Sequence, residues 1–116
     1  TPEEEVRQRI LRYVVTSLHY PAGLIQVEQM VNVNGMKKRA DIVVNDRFGA
    51  PWMLIECKRP NELLNERTLS QIAMYNSRLG ASYLMVSNGD ESHILRMDRE
   101  EKSVRRLDKM PTYPDI

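Results

Sequence analysis

One cysteine, Cys57, is all the sulfur chemistry this chain has beyond methionine, so no disulfide can form within it. That usage fits a reducing compartment, and the expected location is the cytoplasm. Two histidines, His19 and His93, lie far apart without the spacing of a metal site. Aromatic residues are scarce, at 6% with one Trp and one Phe. No apolar run approaches the ~18 residues of a membrane span, and none of these residues forms a secretory signal. They begin at Thr1 rather than at methionine. Neither sign of charge dominates: Lys and Arg number 17 against 16 Asp and Glu, for a net charge of +1. Bulk charge therefore gives no sign of nucleic-acid binding, which must come from a local patch. There is no G-x-x-x-x-G-K-[ST] loop, so an ATPase motor would have to come from another chain.

What remains is a chain of 116 residues, 41% hydrophobic and 28% charged, with the composition of one globular domain. Thr1-Pro2 followed by Glu3, Glu4 and Glu5 reads as a capped helix start. Val6, Ile10, Tyr13, Val14 and Leu18 continue it at helical spacing to near His19. "LIQVEQMVNVNGMKKRADIVVND" reads as a hairpin turning at Asn34-Gly35. "DRFGAP" is a second turn and "PWMLIECK" a third strand. A loop leads into the helix "RTLSQIAMYNSRLG", stopped by Gly80. "ASYLMVSNGDESHILRMD" gives two more strands around Asn88-Gly89, and "SVRRLD" is an expected edge strand. "KMPTYPDI" reads as a loosely held tail. The expected order is α-β-β-β-α-β-β-β in one domain over 1–116, with a core of about 1–98 and a strand and tail over 99–116.

The third strand poses the chemical question. In "WMLIECK" an apolar run suddenly carries Glu56 and Lys58, which alternation puts on one face. Burying such charges costs several kcal/mol each without compensation. Asp41 sits on the preceding strand, and pairing across "DRFGAP" brings it to the same end of the sheet. Two carboxylates ~4 Å apart repel by about 4 kcal/mol at an effective dielectric near 20, and a divalent cation reverses that term. Carboxylate oxygens completed by water suit Mg²⁺. A lysine beside it serves the attacking water and a phosphate, so the set reads as an apparatus for phosphodiester hydrolysis. Gln71 and Tyr75, four residues apart, share a helix face.

Asp41, a spacer of fourteen, then Glu56-Cys57-Lys58 resembles the signature of the PD-(D/E)xK nuclease superfamily. "QIAMY" resembles the Q-x-x-x-Y helix of its RecB-like branch. Ala40 stands where the superfamily's name has proline, a variable position. "TPEEEVRQRI", "KKRADIVV", "LIECKRP" and "QIAMYN" together resemble the N-terminal domain of type I restriction enzyme R subunits, in its small stand-alone bacterial form. The resemblance covers roughly residues 1–98. It implies a restriction-endonuclease-like αβββαβ core, an α/β fold whose central mixed sheet is flanked by helices. It further implies Mg²⁺-dependent cleavage of DNA, with Mn²⁺ able to substitute and with motor or specificity subunits supplied by other chains.

Asp41 and Glu56 would hold the metal, with the Cys57 carbonyl as an extra ligand and Lys58 serving water and phosphate. Gln71 and Tyr75 would position Lys58 or contact the DNA backbone. Such families draw a further ligand from the first helix. Helical geometry favours Glu3, which lies over the Val6, Ile10 and Val14 stripe; Glu4 lies at its edge. Lys37, Lys38, Arg39 and Arg59 form the basic patch for DNA. Two other classes of reading compete. One is a catalytically silent nuclease-fold module for nucleic-acid binding or assembly. The other is a structural domain whose charges form a buried polar network.

Overall fold

The Thr1 hydroxyl accepts the Glu4 N–H at 3.2 Å and starts helix α1, Pro2–Thr16, at the expected residue. In the computed structural model, residues 1–98 and 100–114 are described, apart from the side chain of Val33. The helix stops at Thr16 rather than near His19. His19 takes a left-handed φ of 58°, and the Tyr20 N–H turns back to the Val14 carbonyl at 2.9 Å. A turn of 3₁₀ helix, Ala22–Leu24, leads into strand β1, Ile25–Val33. Asn34 and Gly35, at φ 51° and 81°, make the expected hairpin turn to β2, Met36–Asn45.

Strand β3, Pro51–Cys57, follows a turn in which the Asp46 carboxylate accepts the N–H groups of Phe48 and Ala50. The Asn65 side chain caps helix α2, Glu66–Leu79, and Gly80 at φ 85° ends it. Strands β4, Tyr83–Ser87, β5, Ser92–Asp98, and β6, Ser103–Leu107, complete the chain. The sheet order is β1-β2-β3-β4-β5-β6; every neighbouring pair is antiparallel except β3–β4. That parallel pair requires a crossover, and α2 supplies it. The expected α/β class and αβββαβ order are present: the described residues form one mixed six-stranded sheet between two α-helices. Among the described residues no helix is long and apolar enough to cross a membrane.

Each helix buries an apolar stripe on one face of the sheet. Val6, Ile10 and Val14 of α1 pack over Ile42, Val44, Met53, Ile55 and Cys57. Leu69, Ile72 and Tyr75 of α2 pack over Val43, Leu54, Leu84 and Val86 on the other face. Each such aliphatic side chain contributes about 1.5–3 kcal/mol through burial. Burial on both faces explains why the central strands read as continuous apolar runs.

The tail is not loosely held. Met110 and Tyr113 pack against the α1-side core. The Tyr20 hydroxyl donates to the Pro111 carbonyl at 2.6 Å, and that of Tyr113 donates to the Asn45 carbonyl at 2.7 Å. Tyr113 completes an aromatic group whose ring centroids lie 5.0 Å from Trp52 and 6.0 Å from Tyr20. Isolated tyrosines far apart in sequence gave no sign of that assembly. Arg99, Asp115 and Ile116, at the ends of the 99–116 segment or within the expected tail, lie outside the described residues.

Candidate active site

The β2–β3 ladder runs from Asn45↔Pro51 to Ile42↔Ile55 and then stops. Asp41 and Glu56 would be the next facing pair, and here the side chains replace the backbone bonds. Glu56 Oε1 accepts the Asp41 N–H at 3.3 Å, and Asp41 Oδ2 accepts the Cys57 N–H at 2.8 Å. The two carboxylates thus meet where the strands part, each with its second oxygen outside these bonds. Ala40 joins Val43 on the α2 side, out of phase with strict alternation.

Burial and then the charge of Asp41 push the Glu56 carboxyl up to about 8. The Asp41 N–H and the Lys58 ammonium oppose that rise without cancelling it. Glu56 is therefore a proton-holding acid near neutrality, beside a second carboxylate. The same two effects raise the Tyr75 phenol to about 12, burial first and then the charges of Glu56 and Asp41. The Tyr75 hydroxyl is buried without a hydrogen-bond partner among the described residues, and Lys38 Nζ lies 5.9 Å from its ring centroid. Burial also lifts the Cys57 thiol to about 12, so it holds no thiolate and acts as a core side chain.

Lys58 continues from β3, its N–H donating to the Ser87 carbonyl at 2.8 Å. Its ammonium lies 4.0 Å from Glu62 Oε2, and Arg59 Nε lies 3.9 Å from Glu62 Oε1. Asn88, buried in the β4–β5 turn, donates to the Glu62 carbonyl at 3.0 Å and fixes that loop. Gln71 shares the helix with Tyr75 but is exposed, whereas Tyr75 is buried. Lys37, Lys38 and Arg39 are exposed on the outer half of β2, and Arg39 Nη1 lies 3.3 Å from Glu28. Arg59 is exposed beside Pro2, Pro60 and Asn61 on a separate depression.

An open cleft of about 380 Å³ adjoins Asp41, lined also by Thr1, Glu3, Glu4, Arg7, Glu28 and Arg39. Glu4 is committed to Gln8 and Arg7, whose hydrogen bonds, that of Gln8 first, lower its carboxyl below the usual range. Glu3 also lines the cleft. Among the described residues no three His, Cys, Asp or Glu side chains gather closely enough to hold a metal ion. The donor set is thus a pair, Asp41 and Glu56, with Glu3 at the rim. Two carboxylates with waters fit Mg²⁺, which seldom takes an all-protein cage.

Two cleft residues were not legible as such. Arg7 is an ordinary helix arginine in sequence, yet its side chain is only 12% exposed, pinned by Glu28 and Glu4. Glu28 looks like an outward strand residue, and nothing in its neighbours announces its φ of 55°.

A family model described as type I restriction enzyme R protein N terminus matches residues 2–111. No curated protein matches the chain significantly. Among solved structures, a fragment of a putative HsdR subunit of a type I restriction enzyme from Vibrio vulnificus YJ016 is similar in fold, with a TM-score of 0.68 at 19% identity. The match covers 97% of this chain and 24% of that one, so the chain spans about a quarter of its length.

Proposed function

The chain belongs to the type I restriction enzyme R protein N-terminus family, and on that premise we propose that it hydrolyses DNA phosphodiester bonds as a PD-(D/E)xK-type nuclease. The observation that carries the reading is the meeting of Asp41 and Glu56 at the parted ends of β2 and β3. A structural role gives no reason to seat two carboxylates together where the charge of one raises the other. Mg²⁺, or Mn²⁺ in its place, would supply Lewis-acid polarisation of the scissile phosphate and acidify water. Asp41 and Glu56 would bind it, with Glu3 and the Cys57 carbonyl as further oxygen donors. Lys58 would orient the attacking water and donate to a phosphate oxygen. Tyr75, with its unpaired hydroxyl, and Gln71 would hold the backbone near Lys58. Lys37, Lys38, Arg39 and Arg59 would neutralise flanking phosphates. DNA and the other subunits of a restriction enzyme are the proposed partners, in the cytoplasm.

Two observations favour a second reading, a silent nuclease-fold module for DNA binding or assembly. The Lys58 ammonium lies beside Glu62, and Gln71 is exposed. The deciding assay is nicking of plasmid DNA at low salt with Mn²⁺. Lys58→Ala should lose on the order of 10²–10⁴ in rate, the scale for a proton-handling group. It should keep the rise in melting temperature that Mn²⁺ gives the wild type. Asp41→Ala should lose both. Metal binding without nicking in the wild type would establish the silent module. Equal nicking by wild type and Lys58→Ala would remove Lys58 from the chemistry.

A further inference from the structure

Glu28 holds a conformation that its place in the strand does not explain. It sits in the middle of β1 with φ 55°, a left-handed value that costs a residue with a side chain. The β1–β2 register pairs Val27 with Ile42 and Gln29 with Ala40, and skips the position between. That skipped position is Glu28 opposite Asp41. The kink does not expose an idle carboxylate: Glu28 Oε1 meets Arg7 Nη1 at 2.8 Å and Arg39 Nη1 at 3.3 Å. Arg7 in turn grips Glu4, and its Nε is buried without a partner among the described residues. Arg7 is the side chain that joins the first turn of α1 to β1 across the cleft.

We propose that Glu28 is a positioning residue for the metal-binding carboxylates. Its kink frees Asp41 from the β1 ladder, and its bond to Arg7 anchors the first turn of α1 so that Glu3 faces Asp41 across the cleft. This deepens the metal-dependent reading above and rests on it. The cost of the left-handed backbone is borne at the one strand position that faces Asp41, which a purely structural ion pair would not require. Substrate need not touch Glu28 for this role, because it acts through Arg7 and the helix start.

The test is Mn²⁺ binding by calorimetry, with thermal melts as a check on folding. Glu28→Gly keeps a backbone that accepts positive φ and removes the tie. It should bind Mn²⁺ more weakly by on the order of tenfold, the scale for residues that orient ligands. In a Glu3→Gln background the same change should add little, because the anchored ligand is already gone. Glu28→Gln, which keeps an acceptor for Arg7, should restore much of the affinity. Unchanged binding in Glu28→Gly, or losses that add fully with Glu3→Gln, would overturn the assignment. If Glu28→Gly fails to fold, Arg7→Lys decides by the same criterion, since a lysine cannot bridge two carboxylates as a guanidinium does. No Mn²⁺ uptake by the wild type would remove the metal reading itself, and this assignment with it; that failure appears without any variant.

Discussion

Glu56 keeps its proton where an ordinary glutamate has lost it, because burial and the Asp41 charge both disfavour a second anion. The consequence for stability has a definite sign. In the unfolded chain this carboxyl ionises at its ordinary value of 4.5, and folding pushes it up to about 8. Between those values the native state binds more protons than the unfolded one, so stability falls as pH rises across that window and levels off above it. Thermal melts in chelator from about pH 5 to about pH 9 should show that decline, and Glu56→Gln should flatten it. An equal slope in the variant would mean that other groups set the pH dependence. Divalent metal uptake at neutral pH should accordingly release a proton.

At the scale of elements, the β1–β2 hairpin is the basic part of an otherwise balanced molecule. Lys37, Lys38 and Arg39 follow one another on its outer half, exposed and without an acidic residue between Gln29 and Ala40. Lys37 and Lys38 are free of the Glu28 contact that holds Arg39. If they hold phosphates, each should contribute about 0.9 to the slope of log affinity against log salt on duplex DNA. Lys37→Ala with Lys38→Ala should flatten that slope by about twice this amount and weaken binding alike on all sequences. Fluorescence anisotropy over a salt series measures it, and an unaltered slope would place the DNA elsewhere. Helix α2 divides its labour: its inner face is core, and the outer side of the same turn leaves Gln71 in solvent.

Across the whole molecule, the C-terminal segment closes the sheet end remote from Asp41. Tyr113 packs on Trp52 and bonds the Asn45 carbonyl, four residues along β2 from the site. Tyr113→Ala should cost about 2 kcal/mol, less than a fully buried aromatic because the residue is only partly buried. Urea unfolding checks this, and a loss under ~0.5 kcal/mol would return the tail to a peripheral role. Metal binding well below the melting temperature should survive the substitution, since the tail and the carboxylates occupy opposite ends of β2.

Much of the site was legible because it is written in local rules. Alternation put Glu56 off the face that buries Cys57, and a short turn between neighbouring strands brought Asp41 to the same end. The cap at Thr1, the Asn34-Gly35 turn and the stop at Gly80 fixed the elements within a few residues. Family membership was equally legible, since it follows the order of short motifs along the chain. What the sequence could not decide depends on partners distant along the chain. Glu28 pairs with Arg7 from another element, so its left-handed backbone has no local signature. The order of Tyr113 comes from Tyr20 and Trp52, far back in the chain. The acidity of Glu56 is set by its burial and the approach of Asp41, which exist only once the strands have met and parted. Periodicity and turn chemistry act between near neighbours, whereas burial and charge proximity are properties of the assembled sheet.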